Sequence, residues 1–494
     1  MTFSRTTSFA LVASALAALL GGCAAVGPDY AGPPPVAADA AQAPRFARDT
    51  TPTAPVAPVA AAWWHGLDDA TLDGLVEQAL RGSPTLHAAE ARLRASRASL
   101  NAQEAKGRPS GSASALGLGL WQAPGTDESS SAHLYSVGFD ATWELDLFGG
   151  TRRAVESASA QAQAVQADLA DAQVSLTAEV AQAYVALRSQ QRRLALLQDT
   201  TTLDVQGLAL MQQRFDRGVS TADELEQRKS QREATQASVA DVSAQISASL
   251  DRLALLTGQA PGALDAPLST PPASLPSLPQ DVRIGDPTGM LERRPDIRAA
   301  ERRLASSNAQ IGQQTANYYP KINLLGDIGF AGTDIGHLLS GNSLSLIAVP
   351  YLSWNVLDFG RTASAVRQAE AGRDEALANY ESAVLGALQD ANTSLAQYGQ
   401  QRQVLQRLLA QQASTQRTLG LEQQRRQAGV VGQLDLLDAR RKDIDAQLKA
   451  LDGEAALLKD FVALQKSLGL GWLNAAASNA SAPSVPASPR PPAP

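Results

Sequence analysis

The most regular pattern in the chain is a strict alternation of apolar and polar residues in two regions. From Tyr135 to Leu147 the odd positions carry Tyr, Val, Phe, Ala, Trp and Leu, while the even positions carry Ser, Gly, Asp, Thr and Glu. Leucines 116, 118 and 120 alternate with glycines just before, and similar runs follow at Ile322–Phe330 and Leu344–Phe359. A period of two predicts strands with one apolar and one polar face. We therefore predict two hairpins, at about residues 109–147 and 320–359, and Pro350 predicts a bulge or an edge in the fourth strand.

A helical period follows each hairpin. Residues 151–213 contain no Pro and a single Gly, Gly207. Their apolar seam keeps a 4-3 spacing that is typical of coiled coils; it consists of Leu176, Val180, Ala183, Leu187, Gln190, Leu194 and Leu197. A helix of this length measures about 95 Å, so it must project out of any globular domain. Long helical hairpins are predicted at about 150–257 and 360–469.

The two regions are copies of one unit. A shift of 211 positions aligns Trp143 with Trp354, Gly149 with Gly360, Gly218 with Gly429 and Gly258 with Gly469. Compositional bias can align Ala and Leu, but not these Trp and Gly residues at a constant offset. The chain is thus predicted to hold two structural repeats, at residues 63–258 and 288–472, joined by a linker at 259–287.

The length and number of the strands limit the possible assemblies. Strands of about 12–15 residues suit a tilted transmembrane span, although a soluble amphipathic hairpin packed on a helix would show the same alternation. Membrane barrels need at least about eight strands, because open sheet edges in lipid have no hydrogen-bond partners. Two chains would supply eight strands and three would supply twelve, with room for an aqueous lumen. We expect a homotrimer with an antiparallel transmembrane β-barrel and a coiled-coil helical barrel.

The N-terminus has the features of a bacterial lipoprotein signal. Arg5 precedes an apolar stretch, Ser8–Leu20, that is too short for a membrane-spanning helix, and the only Cys of the chain, Cys23, follows two glycines. We predict a signal peptide at 1–22, lipid attachment at Cys23, a Pro-rich tether at 23–62 and a disordered tail at 473–494. The alternative is that Cys23 is an incidental residue at an ordinary cleavage site. Ala24 is not the Asp that retains lipoproteins at the inner membrane, so we expect the outer membrane.

Composition excludes several classes of protein. One Cys and four scattered His argue against disulfide frameworks and against thiolate or imidazole metal sites. A net charge of −7 argues against a nucleic-acid-binding protein. The chain contains none of the GxSxG, P-loop, CxxC or HExxH motifs, so we predict neither an enzyme nor a cofactor beyond the lipid on Cys23.

Specific motifs resemble the TolC family of outer-membrane factors, in its NodT/OprM-like lipoprotein branch. They are VGPDY at 26–30, WELDLFGG at 143–150, LERRPDIRAAERRLASSNAQIG at 291–312 and YYPKINL at 318–324. The resemblance covers about residues 23–472. It implies a trimer with a 12-stranded barrel stacked on a 12-helix periplasmic tunnel in a Gram-negative bacterium. It also implies that the duct docks with a periplasmic adaptor and an inner-membrane transporter, which we expect to be proton-driven.

The resemblance further implies two sites on the helical hairpins. The turns between their helices match tips that adaptors contact in this family; the matching residues are Arg214, Gly218, Val219, Arg425, Gly429 and Val430. Alternatively, the glycines only cap the helices. Leu434, Asp438 and Arg441 match residues that constrict a closed periplasmic aperture, and Asp435 lies beside them. Alternatively, these residues form an ordinary solvated face of the coiled coil. In the first copy Gln227 and Ser230 replace Asp438 and Arg441, so we expect the second hairpin to carry any gate, with Arg side chains from neighbouring copies closing an acidic ring.

Three functions fit this sequence. We favour the exit duct of a tripartite efflux pump that passes drugs or other small toxic compounds from the periplasm to the exterior. An exit duct for a type I secreted polypeptide has the same architecture. The third possibility is a trimeric coiled-coil spacer without a pore.

Overall fold

The structure is a computed structural model that describes residues 25–48, 61–121, 131–270, 274–279, 282 and 284–472. The predicted signal peptide, the lipid-attachment residue Cys23 and the predicted tail at 473–494 lie outside these residues. In chain order the helices and strands are α1 (Ala38–Ala41), α2 (Ala70–Gly82), α3 (Pro84–Lys106), β1 (Ser110–Trp121), β2 (Ser131–Leu145), α4 (Gly150–Asp216), α5 (Ala222–Leu256), α6 (Pro287–Arg293), α7 (Pro295–Thr315), β3 (Lys321–Gly332), β4 (Leu344–Ser353), α8 (Arg361–Gln427) and α9 (Gln433–Ser467).

These elements repeat at the interval that the sequence predicts. Helices α4 and α8 both have 67 residues and begin 211 positions apart, and α5 and α9 both have 35 residues at the same separation. Strands β1 and β3 also share one length and the same offset. Pro84 and Pro295 each open a helix, at the position where a missing N–H costs nothing.

The chain divides into two compact units. The first comprises the chain up to Pro35, Ala91–Gln166 and Arg298–Ala383, and it contains the whole sheet. The second comprises Val36–Glu90, Ala167–Ile297 and the residues from Val384, and it contains both interhelical turns. None of the helices in the described part of the chain combines the length and the hydropathy that a membrane-spanning helix requires.

The four strands form one antiparallel sheet in the order β1-β2-β3-β4. Every strand pair keeps a continuous register, including the pairing of Leu324 with Pro350. The structure therefore places Pro350 in an edge strand of the chain without a bulge, which is one of the two options that the sequence left open. Strand β4 ends at Ser353, earlier than the predicted Phe359, because Asp358 accepts hydrogen bonds from the N–H groups of Gly360 and Thr362 and so begins α8.

The two faces of this sheet differ sharply in polarity. The apolar face holds no Asp, Glu, Lys or Arg; it carries Val137, Phe139, Trp143, Leu145, Ile322, Leu324, Ile328, Phe330, Leu344, Leu346 and Leu352 among its members. All four charged strand residues lie on the opposite, polar face: Asp140, Glu144, Lys321 and Asp327. Large apolar side chains of the sheet are nevertheless solvent-exposed in the single chain, for example Phe139 at 68% and Leu346 at 78%. A sheet with an uncharged, exposed apolar face suits contact with lipid.

Two tryptophans hold equivalent positions at the ends of the hairpins. The Trp143 indole N–H donates to the Gly107 carbonyl at 3.0 Å, and the Trp354 indole N–H donates to the Tyr318 carbonyl at 3.0 Å. Both indoles lie at the same end of the sheet, where the strands give way to helix. Indole rings at the border of a lipid-facing band are typical of membrane barrels.

The described start of the predicted tether is docked rather than free. Arg153, which is 4% exposed, donates to the carbonyls of Val26 and Gly27 and to the Asp29 carboxylate at 2.6 Å. The Tyr30 hydroxyl donates to Glu301 at 2.8 Å. A buried guanidinium is costly without hydrogen-bond acceptors, and these oxygens supply them. The contacts therefore hold the VGPDY segment against the rest of the first unit. The prediction of an extended tether thus requires correction for this segment.

In the second unit, the predicted coiled-coil seam is partly buried in the single chain. Leu176, Val180, Leu187 and Leu197 are buried, whereas Ala183, Gln190 and Leu194 are intermediate. The half-exposed members leave part of the seam open to packing against another helix.

Candidate functional site

The tip of the first helical hairpin is a short glycine turn. Gly218 has φ +73°, its N–H donates to the Phe215 carbonyl, and the Val219 N–H donates to the Arg214 carbonyl at 2.9 Å. These bonds satisfy the last carbonyls of α4 and end the helix. Thr221 then caps α5 by a reciprocal pair of hydrogen bonds with Glu224.

The second tip repeats this geometry. Gly429 has φ +74°, and the Val430 N–H donates to the Arg425 carbonyl at 2.9 Å. Val219 and Val430 are 61% and 66% exposed, and no heavy atom beyond the adjoining residues lies within 4 Å of a Cβ built on Gly218 or Gly429. The predicted tip residues therefore form two open surfaces. The glycines do cap the helices, and the valines beside them remain available for contact.

Asp435 has a local role at the start of α9. Its carboxylate accepts the Gly432 N–H at 2.8 Å, as Glu224 accepts the Thr221 N–H 211 positions earlier. A carboxylate in the first turn also interacts favourably with the helix dipole. The structure thus gives Asp435 a capping function that the sequence analysis did not anticipate.

Asp438, the next predicted aperture residue, forms a two-point ion pair with the first hairpin. Its two oxygens accept from Nη1 and Nη2 of Arg228 at 2.6 and 2.7 Å. The Asp438 side chain is 40% exposed and that of Arg228 is 20% exposed. The hydrogen bond to Asp438 raises the pKa of Arg228 above its ordinary value. This geometry joins α5 to α9 and fixes their relative rotation.

Arg441, one helical turn further along α9, reaches a buried carboxylate on α4. Asp204 is 7% exposed and accepts from Arg441, from Thr235 Oγ1 at 2.6 Å and from Gln231 Nε2 at 3.1 Å. The carboxylate thus has three donors from two other helices. A buried charge with this many partners is costly to disturb, because removal of one partner leaves the charge without compensation.

The predicted aperture residues Asp438 and Arg441 have partners within the same chain. The first hairpin provides both, Arg228 for Asp438 and Asp204 for Arg441. The repeat alignment does not identify these partners, because it compares equivalent positions and they occupy non-equivalent ones. Closure of the ring by arginines from neighbouring copies stays a prediction. Leu434, beside Asp438 and Arg441, is half-buried.

One of the missed residues had a signal in the sequence. Continuing the 4-3 spacing from Leu197 leads to positions 201 and 204, so Asp204 occupies a seam position where an apolar residue is expected. An acid at such a position needs a partner from a neighbouring helix. Arg228 had no comparable signal, since it lies among several charged residues of α5.

A second charged cluster lies in the second unit, around the RPD segment at 294–296. Arg294 donates to the Ser467 carbonyl at the end of α9 at 2.9 Å and forms a two-point pair with Asp296. Asp171 lines the same 260 Å³ cavity as Arg294, Asp296 and Asp390. Burial, and then the negative charge of Asp296, raise the pKa of Asp171 above its ordinary value. Because Arg294 binds the end of α9, we interpret this cluster as a structural clamp.

Among the residues that the structure describes, no group of three or more His, Cys, Asp or Glu side chains is placed to hold a metal ion. Asp435 serves as a helix cap, and Asp204 and Asp438 serve as ion-pair partners.

Comparison with known proteins gives consistent matches across nearly the whole chain. The sequence profile of the family described as outer membrane efflux protein matches residues 75–259 and 287–470, one stretch in each repeat. Outer membrane protein OprJ of Pseudomonas aeruginosa is 32% identical over 477 residues, which cover 95% of this chain and 97% of that protein. The antibiotic efflux pump outer membrane protein ArpC of Pseudomonas putida is 28% identical over 462 residues, covering 92% and 94%.

A solved structure of the outer-membrane channel OprN matches the fold. Its TM-score is 0.82 at 35% sequence identity, with 90% of this chain and 99% of the other covered. The four strands and the long helical hairpins described above are therefore those of an outer-membrane channel.

Proposed function

Because the chain belongs to the outer membrane efflux protein family, we propose that it is the exit duct of a tripartite pump that passes drugs or other small toxic compounds out of the periplasm. Its place in the outer membrane of a Gram-negative bacterium and its role as an efflux duct follow from the family. The antibiotic pump component ArpC supports the class of substrate. In this account the duct is passive, and the pump supplies selectivity and energy.

The observation that carries the proposal is the contrast between the two faces of the sheet. One face is uncharged and exposes large apolar side chains, while the other holds Asp140, Glu144, Lys321 and Asp327. Closed into a cylinder, such a sheet presents its apolar face to lipid and its charged face to a water-filled lumen. Four strands are too few to close, so we propose a homotrimer.

The lipid and partner assignments belong to the same proposal. A lipid on Cys23 would hold the chain at the membrane, and Arg153 at the start of α4 binds the VGPDY segment that follows it in sequence. The exposed tips at Val219 and Val430 would contact a periplasmic adaptor, which links the duct to a proton-driven inner-membrane transporter. The Arg228–Asp438 and Asp204–Arg441 contacts would hold the periplasmic aperture closed.

Complementation and copurification test this function. The full chain is expressed with its adaptor and transporter in a Gram-negative strain that lacks its own efflux duct. We expect restored resistance to small toxic compounds and copurification of both partners with the chain. Secretion of a polypeptide without restored resistance would instead indicate the type I secretion duct.

The tip assignment needs a separate variant. Val430→Asp should weaken copurification of the adaptor, because it puts a charge on an exposed apolar contact surface. Val404→Asp on α8, which is also exposed, serves as a matched control and should leave copurification unchanged. Equal effects of the two substitutions would contradict adaptor contact at the tip.

A further inference from the structure

The two edge strands of the sheet carry large apolar residues on the polar face, which is not the face that would contact lipid. Leu116, Leu118 and Leu120 of β1 pair with Ser136, Leu134 and Ala132 of β2, so they share the polar face with Asp140. On β4, the large apolar residues of the polar face are Ile347, Val349 and Tyr351. All six side chains are 43–60% exposed in the single chain. Lipid on the other face of the sheet does not account for them.

The internal repeat supplies a template for what covers these residues. Hairpin β1–β2 pairs Ser110 with Thr142, and hairpin β3–β4 pairs Lys321 with Ser353. Each member of the second pair lies 211 positions after its counterpart, so the two hairpins have the same register. The contact between β2 and β3, which joins the two repeats inside one chain, therefore shows how one hairpin follows another in this sheet.

Shifting that contact by one repeat defines a contact between β4 and the β1 of a second copy. The pair Gly138–Gly329 becomes Val349–Leu118, Asp140–Asp327 becomes Tyr351–Leu116, and Ser136–Ala331 becomes Ile347–Leu120. All three derived pairs unite one apolar residue from each edge. A displacement of one residue would instead place Val349 and Tyr351 opposite Gly119 and Gly117, which lie at positions of the other face.

We propose that these six residues form an apolar seam between successive copies of the chain, on the inner face of the barrel and in this register. The seam rests on the proposed function, since only a closed ring of copies brings the two edges together. Inside the chain, the three equivalent pairs, Ser136–Ala331, Gly138–Gly329 and Asp140–Asp327, consist of small or polar residues, and a Cβ on Gly138 would lie 2.9 Å from the Gly329 Cα. The contact between β2 and β3 lies within one chain, so the covalent connection already holds its two sides together. A contact between separate copies has no such connection and needs the burial of apolar surface to stabilise it.

Disulfide trapping in outer-membrane vesicles tests the register. The central variant carries Val349→Cys and Leu118→Cys, and oxidation should join copies into covalent trimers on a denaturing, non-reducing gel. The slipped controls combine Val349→Cys with Gly117→Cys or with Leu120→Cys. Directly opposite residues bring their Cβ atoms to about 4.5–5.5 Å and diagonal ones to about 7–8 Å, so we expect the controls to yield at least about tenfold less covalent trimer.

Further controls keep the test interpretable. The parent chain, whose one Cys is Cys23, gives the background. A chain with Ser136→Cys and Ala331→Cys, which lie opposite each other in the structure, should form its disulfide within one chain. This variant shows that the sheet is formed and that oxidation works.

The outcomes separate the seam from the proposed function when the same preparations are recorded in planar bilayers. Trimers from the central pair alone support the seam. Equal or greater cross-linking in a slipped pair, in a protein that still conducts, overturns the register but leaves the duct intact. Absence of cross-links between copies together with a formed intrachain disulfide overturns the seam. Cross-linked trimers that do not conduct support the seam and contradict the duct.

Discussion

The Arg228–Asp438 ion pair should restrain opening of the helical tips. Arg228→Gln removes the guanidinium that binds both oxygens of Asp438 at 2.6 and 2.7 Å. Because the partners are 20% and 40% exposed, solvent screens the pair, and its two-point geometry gives about 1 kcal/mol. In a trimer whose copies open together, the substitution removes about 3 kcal/mol of stabilisation from the closed state. This loss shifts the equilibrium towards the open state roughly a hundredfold.

Single-channel recording and entry of a large antibiotic through the outer membrane measure this shift. Arg228→Gln and Asp438→Asn should each raise the open fraction and the antibiotic sensitivity. The double variant should add little to either, because both substitutions remove the same interaction. Arg193→Gln is the matched control: its pair with Asp452 is 37% and 61% exposed and lies 14 residues, or about 21 Å, further along α9.

Three results would refute this reasoning. Unchanged conductance and sensitivity in both single variants would show that the pair does not restrain the tips. Fully additive effects in the double variant would show that the two residues act through other contacts. An Arg193→Gln effect as large as that of Arg228→Gln would assign the effect to general loosening of the helices.

Three more predictions concern single side chains. Arg441→Leu leaves the buried Asp204 without its cation at a cost of about 3 kcal/mol, so trypsin should cut the tips faster, and an unchanged cleavage rate would contradict the pairing. Gly429→Ala forces φ +74° on a side chain at about 1–2 kcal/mol and should speed amide exchange at the tip, whereas Gly420→Ala within α8 should not. Burial raises the pKa of Asp171 above 3.8, so its ionisation lowers the free energy of unfolding. This loss is absent below pH 3.8, grows as the pH rises from there to the folded pKa, and is constant above it. Asp171→Asn should therefore raise the unfolding temperature at pH 7 but not at pH 3, and a gain at pH 3 would exclude this cause.

Most of the fold could be predicted from periodicity and from the repeat. The alternation between Tyr135 and Leu147 located β2, and the Pro-free run after Thr151 located α4 within a few residues. These signals are strong because each element is long and has one face of constant character. The fourth strand was weaker because Ile347 and Val349 make both of its faces apolar.

The relation between elements was harder to predict. Alternation indicates that Leu116 and Leu118 share a face, but only the register reveals that this face is the polar one. Similarly, the turn glycines at 218 and 429 could be read from the sequence because φ near +74° favours Gly. The docking of the VGPDY segment could not be predicted, since it depends on a buried arginine, Arg153, that is distant in sequence.

The candidate site, too, could be predicted only in part from the sequence. Asp438 and Arg441 were found through the family resemblance, but their partners on α4 and α5 were not. Ion pairs between helices depend on how the helices rotate against each other, and a single sequence does not report that rotation. The acid at seam position 204 was the one available indication.

Closure of a pore by copies of this chain is the central claim, and planar-bilayer recording on protein of known subunit number tests it most directly. We expect discrete conductance steps from the purified trimer and none from the separated chains. A stable trimer that inserts into the bilayer without conductance, or a single chain that conducts alone, would contradict the account.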